Sequence, residues 1–309
     1  MHFNIYGVHI MNPIRTQKSP LVIGVALWSA MIALNAFAED CNQHFANSRT
    51  PTLINAKLGA RTHQICYTSY SVLTSGVTKT AIWSAEHLTR DNIEMAQRLK
   101  RENPFHAEPS LSASDRAELS DYAHSGLDRG HMSPNGDMPN HDAQYESFSL
   151  ANMIPQNPEN NRGVWADLES DVRKLAKRSG EIYVVTGPAF IADANGQLDS
   201  LKSRVLVPTH LWKAVFDPVT QQTTAYWVSN NAESQIEQIT VSELKARSGV
   251  DPFPALPESA KQGTIALSNS HVHRQQTAAA EETSPHGESK TEFVEKEVGR
   301  AALRHILHF

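Results

Sequence analysis

The chain has 309 residues, 40% of them hydrophobic and 20% charged, an ordinary globular composition with enough apolar side chains to bury a core. Its formal charge of −5 excludes polyanion binding by net charge alone. Any affinity for phosphate must come from a local basic cluster, because counterion release rewards individual phosphate contacts and not the global sum.

At the N-terminus, Arg15 and Lys18 precede an apolar run over 21–34, and Ala36-Phe37-Ala38 supplies a small-x-small cleavage pattern. This reads as a signal peptide over 1–38, with Met11 as an alternative start. The competing reading, an uncleaved anchor, asks for a longer apolar run and no small-residue site. Removing residues 1–38 takes away two positive charges and no acids, moving the formal charge from −5 to −7. The two cysteines, Cys41 and Cys66, lie just beyond the cut. In an oxidising compartment they are expected to pair and pin the start of the mature chain, the alternative being two buried thiols.

Residues 39–265 carry no repeat and no long linker and read as one domain. Short β-branched or aromatic runs around 82–88, 147–154, 182–185, 205–207 and 224–229 suit strands. A helix over 91–101 follows from Ile93, Ala96, Gln97 and Lys100 after the cap candidates Thr89 and Asp91. The clearest helix begins after Pro158: Val164, Trp165, Leu168, Val172, Leu175 and Ala176 recur at helical spacing up to Gly180, behind a basic last turn. A second is expected over 241–248, before Pro252, Pro254 and Pro257. From about residue 270 the composition turns to Gln, Ala, Glu and Ser, so 266–309 reads as a weakly ordered tail ending in an amphipathic stretch at 293–307.

Chemistry concentrates in LDRGHMSPNGDM (127–138) and NMIPQNPENNRGVWADLESDVRKL (152–175). A lone histidine is more often a core or turn residue. Here Gly130, Gly136, Pro134 and Pro139 break the chain around His131, which is how a side chain is presented at a site. An ordinary imidazole titrates near pH 6.5, so a neutral base able to deprotonate water is available. Phosphodiester hydrolysis needs such a base together with a cation that offsets developing charge. Asn161 offers a hard amide oxygen to a hydrated Mg2+. Glu169 and Arg173 stand at i,i+4 and could pair, which by itself would be an ordinary surface salt bridge. Asn161 and Glu169 are about 12 Å apart along an ideal helix, too far to share one ion directly, so Glu169 is expected to act through water. Two cysteines and no His-Glu-x-x-His helix set a zinc hydrolase aside.

The run Asp128-Arg129-Gly130-His131, continued by Asn161, Arg162, Gly163, Val164, Trp165, Leu168, Glu169 and Arg173, resembles the DNA/RNA non-specific endonuclease family, the secreted bacterial sugar-nonspecific nucleases of the ββα-metal (His-Me finger) class. The resemblance extends over roughly 66–257. It implies an α+β fold, a central antiparallel β-sheet flanked by helices with a ββα-metal motif at the active site. It further implies cleavage of DNA and RNA through the phosphate backbone, with Mg2+ as cofactor and Mn2+ as a substitute. His131 would be the general base, Asn161 the direct metal ligand and Glu169 the holder of metal-bound water. Arg173 would stabilise the phosphate. Arg101 best fits a further arginine expected upstream, with Arg98 and Lys100 nearby. Arg129 and Arg162 would contact substrate, and Asp128 would buttress the motif. Nine basic residues from Arg98 to Arg178 in these two segments are expected to line a basic cleft. The remaining histidines, His124 and His141 among them, read as structural or surface groups. The product is expected to be secreted or periplasmic, with no membrane contact after cleavage. A homodimer stays open, since the sequence shows no seam. Two other readings also stay open: a phosphodiesterase confined to RNA or single strands, and a catalytically silent nucleic-acid-binding relative.

Overall fold

A computed structural model describes residues 41–267. The signal peptide expected over 1–38 and nearly all of the tail over 266–309 lie outside the described residues. Ile265 and Leu267 still pack into the core.

Seven antiparallel strands make the central sheet: β1 Thr62–Cys66, β2 Tyr70–Ser75, β3 Thr80–Thr89, β6 Glu181–Ala189, β7 His210–Asp217, β8 Gln222–Ser229 and β9 Ile236–Ile239. Their spatial order is β9-β8-β7-β6-β3-β2-β1. Two short strands, β4 Asp128–His131 and β5 Met153–Gln156, form a separate antiparallel pair on the chain between β3 and β6. The α-helices of five or more residues are α1 Arg90–Ala96, α2 His141–Ser147, α3 Pro158–Arg162, α4 Val164–Ser179 and α5 Val241–Ser248. Strand side chains alternate between the two faces. One face packs Val72, Leu88, Ile182, Val184, Leu211 and Val215 against the apolar stripe of α4. The other packs Trp83, Val185, Trp212 and Phe216 against α5 and the N-terminal turns. The α+β expectation therefore holds.

Local chemistry accounts for most helix ends. Thr89 caps α1 by accepting from the Asn92 amide at 3.2 Å, and Thr240 caps α5 by accepting from Glu243 at 3.1 Å. Gly180 (φ 95°) and Gly249 (φ 72°) end α4 and α5 in the conformation that glycine adopts at least cost. The stripe predicted for α4 is the one buried: Trp165, Leu168, Val172, Leu175 and Ala176. Cys41 and Cys66 form a disulfide.

Three expectations need correction. α1 stops at Ala96 and does not run to 101, because beyond Ala96 the chain has little to bury, and a short helix without tertiary contact is marginal. The stretch 147–154 is no single strand: α2 ends at Ser147, a 3-10 turn covers Leu150–Asn152, and only then does β5 begin. The helix after Pro158 is two helices, broken at Gly163 (φ −107°, ψ −111°).

Candidate active site

The β4–β5 pair and α3 form a ββα unit that packs over the middle of the sheet. Its register sets His131 opposite Met153 and Asp128 opposite Gln156. The loop after His131 is tied down by Asn152. This side chain accepts from the Ser133 amide at 3.0 Å and donates to the carbonyls of Ser133 (2.8 Å) and Ser147 (3.0 Å). Ser133 in turn shares a 2.6 Å hydroxyl bond with Ser84 of β3. The histidine is thus fixed to the sheet and cannot swing on a free loop.

A cleft of about 740 Å3 opens above this unit, and every site residue expected from the sequence lines it: Arg101, Arg129, His131, Asn161, Arg162, Glu169 and Arg173. Because of the break at Gly163, Asn161 and Glu169 do not ride one straight helix, and the ideal-helix separation does not apply to them. A Cβ on Gly163 would meet the Glu159 carbonyl at 2.6 Å, so the bend needs a residue without one.

His131 is 9% exposed, with the Phe148 ring edge-on at 4.9 Å and the Phe105 ring at 5.8 Å. Burial, reinforced by the charges of Arg101 and Arg129, lowers its pKa to about 3, so the imidazole is neutral at any ordinary pH. Its Nε2 is buried without a hydrogen-bond partner among the described residues. Arg129 lies over the Phe105 ring at 4.1 Å, and Arg101 lies 5.5 Å from the Phe148 ring centre while donating to Asn103 at 3.0 Å.

The Asn161 amide nitrogen donates to Asp128 Oδ2 at 2.8 Å, which leaves Oδ1 as the end able to meet a cation. Arg162 also clasps Asp128, through Nε at 2.9 Å and a terminal nitrogen at 2.7 Å. Burial pushes the Asp128 carboxyl up, but the bonds from Arg162 and Asn161 outweigh it and hold the group below its ordinary value. Half-buried Glu169 has its pKa pushed up to about 7 by burial, opposed by the charges of Lys213 and Arg173. Among the described residues no cluster of three or more His, Cys, Asp or Glu side chains could hold a metal. One oriented amide oxygen with a carboxylate on the same cleft wall suits a hard ion that keeps most of its water, such as Mg2+, and does not suit a caged Zn2+.

Three readings change here. Arg173 pairs with Asp137, at 2.9 Å, and not with Glu169; it lies along Gly136, where a Cβ would come within 3.2 Å of the guanidinium. Asp137 was the partner missed, although it sits in the quoted stretch six residues after His131. Of the nine basic residues, four line the cleft: Arg101, Arg129, Arg162 and Arg173. Lys174 pairs with Asp171 at 2.9 Å, and Lys177 bonds Gln97 at 3.3 Å. His124, read as a surface group, also lines the cleft, on backbone with φ 60°.

A histidine-bearing strand pair followed by a helix that carries an amide ligand defines the ββα-metal class of fold. More narrowly, the chain belongs to the DNA/RNA non-specific endonuclease family, whose profile matches residues 49–259. It is 34% identical over 208 residues to the mitochondrial nuclease EXOG of Danio rerio, covering 62% of this chain and 60% of that protein. It is 35% identical over 167 residues to nuclease C1 of Cunninghamella echinulata var. echinulata, covering 51% and 66%. A nuclease of Serratia marcescens is 29% identical over 204 residues, covering 62% and 74%. The chain thus spans about three fifths to three quarters of these relatives' length. A crystal structure of the EndoG/EndoGI complex, which concerns the inhibition of EndoG, aligns with a TM-score of 0.57 at 26% identity, covering 70% of this chain and 97% of that one.

Proposed function

We propose that this chain is an exported endonuclease that hydrolyses phosphodiester bonds in DNA and RNA with little regard for sequence, assisted by Mg2+, with Mn2+ able to substitute. The observation that carries the reading is that a neutral His131 and an Asn161 oriented by Asp128 open onto one arginine-lined cleft. Residues 1–38 would be the signal peptide and 39–265 the catalytic domain, and the Cys41–Cys66 disulfide fits export to an oxidising compartment.

In this reading His131 is the general base. With Nε2 buried, Nδ1 is the ring nitrogen that takes the proton as water forms its bond to phosphorus. The opposite P–O bond breaks, and the leaving oxygen acquires a proton from solvent. Arg101, Arg129 and Arg173 neutralise the phosphate as its charge rises, and Arg162 reaches the strand from the rim. Asn161, with Glu169 acting through water, would hold the cation. When bound, that ion would supply positive charge that offsets the charge developing on the leaving group. The contacts fall on phosphate, which carries no base information, so low sequence preference follows.

A plasmid-nicking assay with and without EDTA, run beside single-stranded DNA and RNA, tests the reading. Metal-dependent cutting of all three substrates is the expected result. Cleavage that survives EDTA, or confinement to one substrate, counts against it.

A further inference from the structure

The sheet face beneath the cleft is largely apolar, with polar side chains set among the apolar ones. Directly paired residues of neighbouring strands share a face, and one such row reads Val72, Ser84, Thr186, Lys213 and Tyr226 across β2, β3, β6, β7 and β8. Lys213 is 1% exposed in the middle of that row. Its ammonium donates to Thr186 Oγ1 at 2.6 Å and lies 5.2 Å from the ring centre of Trp165, on the first turn of α4. Two residues beyond Ser84 on β3 stands Glu86, equally buried, its carboxyl oxygens without a well-formed hydrogen bond among the described residues. Among the described residues Lys213 makes no salt bridge within 4.0 Å, so its charge is held by one hydroxyl, an aromatic face and carboxylates at longer range.

A lysine so placed is costly. Desolvating an ammonium costs several kcal/mol, and a leucine or methionine would suit this strand better. Its neighbours connect to the site: Trp165 stands on the helix that carries Glu169 and Arg173. Lys213 is the foremost charge drawing the Glu169 carboxyl down, and it acts likewise on Glu86, whose burial and the nearby Asp137 raise its pKa well above the ordinary range. The same row is bonded to the catalytic loop through Ser84 and Ser133.

We infer that Lys213 is a positioning residue: with Thr186 and Glu86 it forms a buried polar layer that holds Glu169 and the first turns of α4 in register with the His131 loop. The inference rests on the nuclease reading for the reaction itself, but its main readout does not require turnover.

The experiment compares Lys213→Met, Thr186→Val and the double variant Lys213→Met/Glu86→Leu with the parent. It measures thermal midpoint, Mn2+ binding by calorimetry in a His131→Ala background, and kcat and KM on DNA. Loss of groups that orient a metal site typically weakens metal affinity or turnover by about 10- to 100-fold. The expected result is a fall of that size in Mn2+ affinity and in kcat for Lys213→Met, with KM for DNA nearly unchanged. A smaller fall is expected for Thr186→Val. The double variant, which replaces the buried lysine and the buried carboxyl together by apolar groups, should have a thermal midpoint at or above the parent's, yet stay defective in both readouts. If the double variant regains Mn2+ affinity and kcat with its stability, the layer is merely structural and the inference is overturned. Parental Mn2+ affinity in a folded Thr186→Val protein, or failure of all three variants to fold, overturns it as well. A parent that binds Mn2+ but does not cut would sink the nuclease reading and leave the Mn2+ comparison able to decide this one.

Discussion

Asp128 Oδ2 accepts from the Asn161 side-chain amide at 2.8 Å, so the first residue of the histidine strand decides which way the candidate metal ligand points. An asparagine amide can turn either its oxygen or its nitrogen toward a partner. The bond to a carboxylate, which can only accept, turns the nitrogen inward and presents the oxygen.

Replacing Asp128 with asparagine should therefore free the Asn161 amide to flip. We expect Mn2+ affinity to fall by about 10-fold or more, the usual cost of a lost orienting group, as read by calorimetry on the folded protein. The same carboxyl predicts a pH effect. Its folded pKa lies below the unfolded value, so its contribution to stability is present above about pH 4 and is lost as pH falls through the folded pKa. Acid denaturation of Asp128→Asn should show a correspondingly shallower loss below pH 4.

His131→Ala should lower the cleavage rate by about 100-fold or more, the scale of a general base, with the thermal midpoint close to the parent's. Metal-dependent cutting at the parental rate would remove His131 from the mechanism.

The buried imidazole also predicts how stability depends on pH. With a folded pKa of about 3 against an ordinary 6.5, the unfolded chain binds a proton at this position between those values and the folded chain does not. Stability from this group is complete above about pH 6.5 and declines as pH falls toward 3. Denaturant midpoints at pH 7 and pH 4.5 should converge in His131→Asn relative to the parent; an unchanged difference would contradict the buried neutral ring.

Gly163→Ala should be destabilising beyond the usual effect of a surface alanine. Its Cβ would press on the Glu159 carbonyl at 2.6 Å, and strain at such positions costs about 1–3 kcal/mol. Because relief would straighten α3 into α4, Mn2+ affinity should drop together with the thermal midpoint. A variant as stable and as tight as the parent would show that the break is not needed.

Reducing or deleting the Cys41–Cys66 bridge, which closes a separation of 25 residues, should cost about 3 kcal/mol of stability on chain-entropy grounds. Chemical denaturation with and without reductant, against a Cys41→Ser/Cys66→Ser double variant, measures it. Cleavage at low temperature should persist, since the bridge lies outside the cleft lining.

Much of this arrangement could be read from the residues. The α4 stripe was legible because an amphipathic helix repeats its apolar residues every three to four positions, and its caps are local. His131, Asn161, Glu169 and Arg173 were legible because their spacing is a family's spacing. Strand β7 was not: a lysine in the middle of Leu211-Trp212-Lys213-Ala214-Val215 breaks the pattern expected of a buried strand, and nothing local says that its ammonium meets Thr186 under an active site. The 147–154 region misled for the opposite reason. Phe148, Leu150, Ala151, Met153 and Ile154 are all buried, so its apolar run carries no period that separates a turn from a strand.

The residue types at the site, the amphipathic helix over them and the cysteine pair belonged to the sequence alone, because composition, period and spacing are local properties of a chain. Tertiary structure decided that Arg173 binds Asp137 and not its helical neighbour Glu169, that α4 starts afresh at Gly163, and that only four of nine basic side chains face the cleft. The physical reason is that partners are chosen by distance and burial. At the floor of the cleft a guanidinium goes to the buried carboxylate within reach, and what lies within reach is set by how the strands and helices pack.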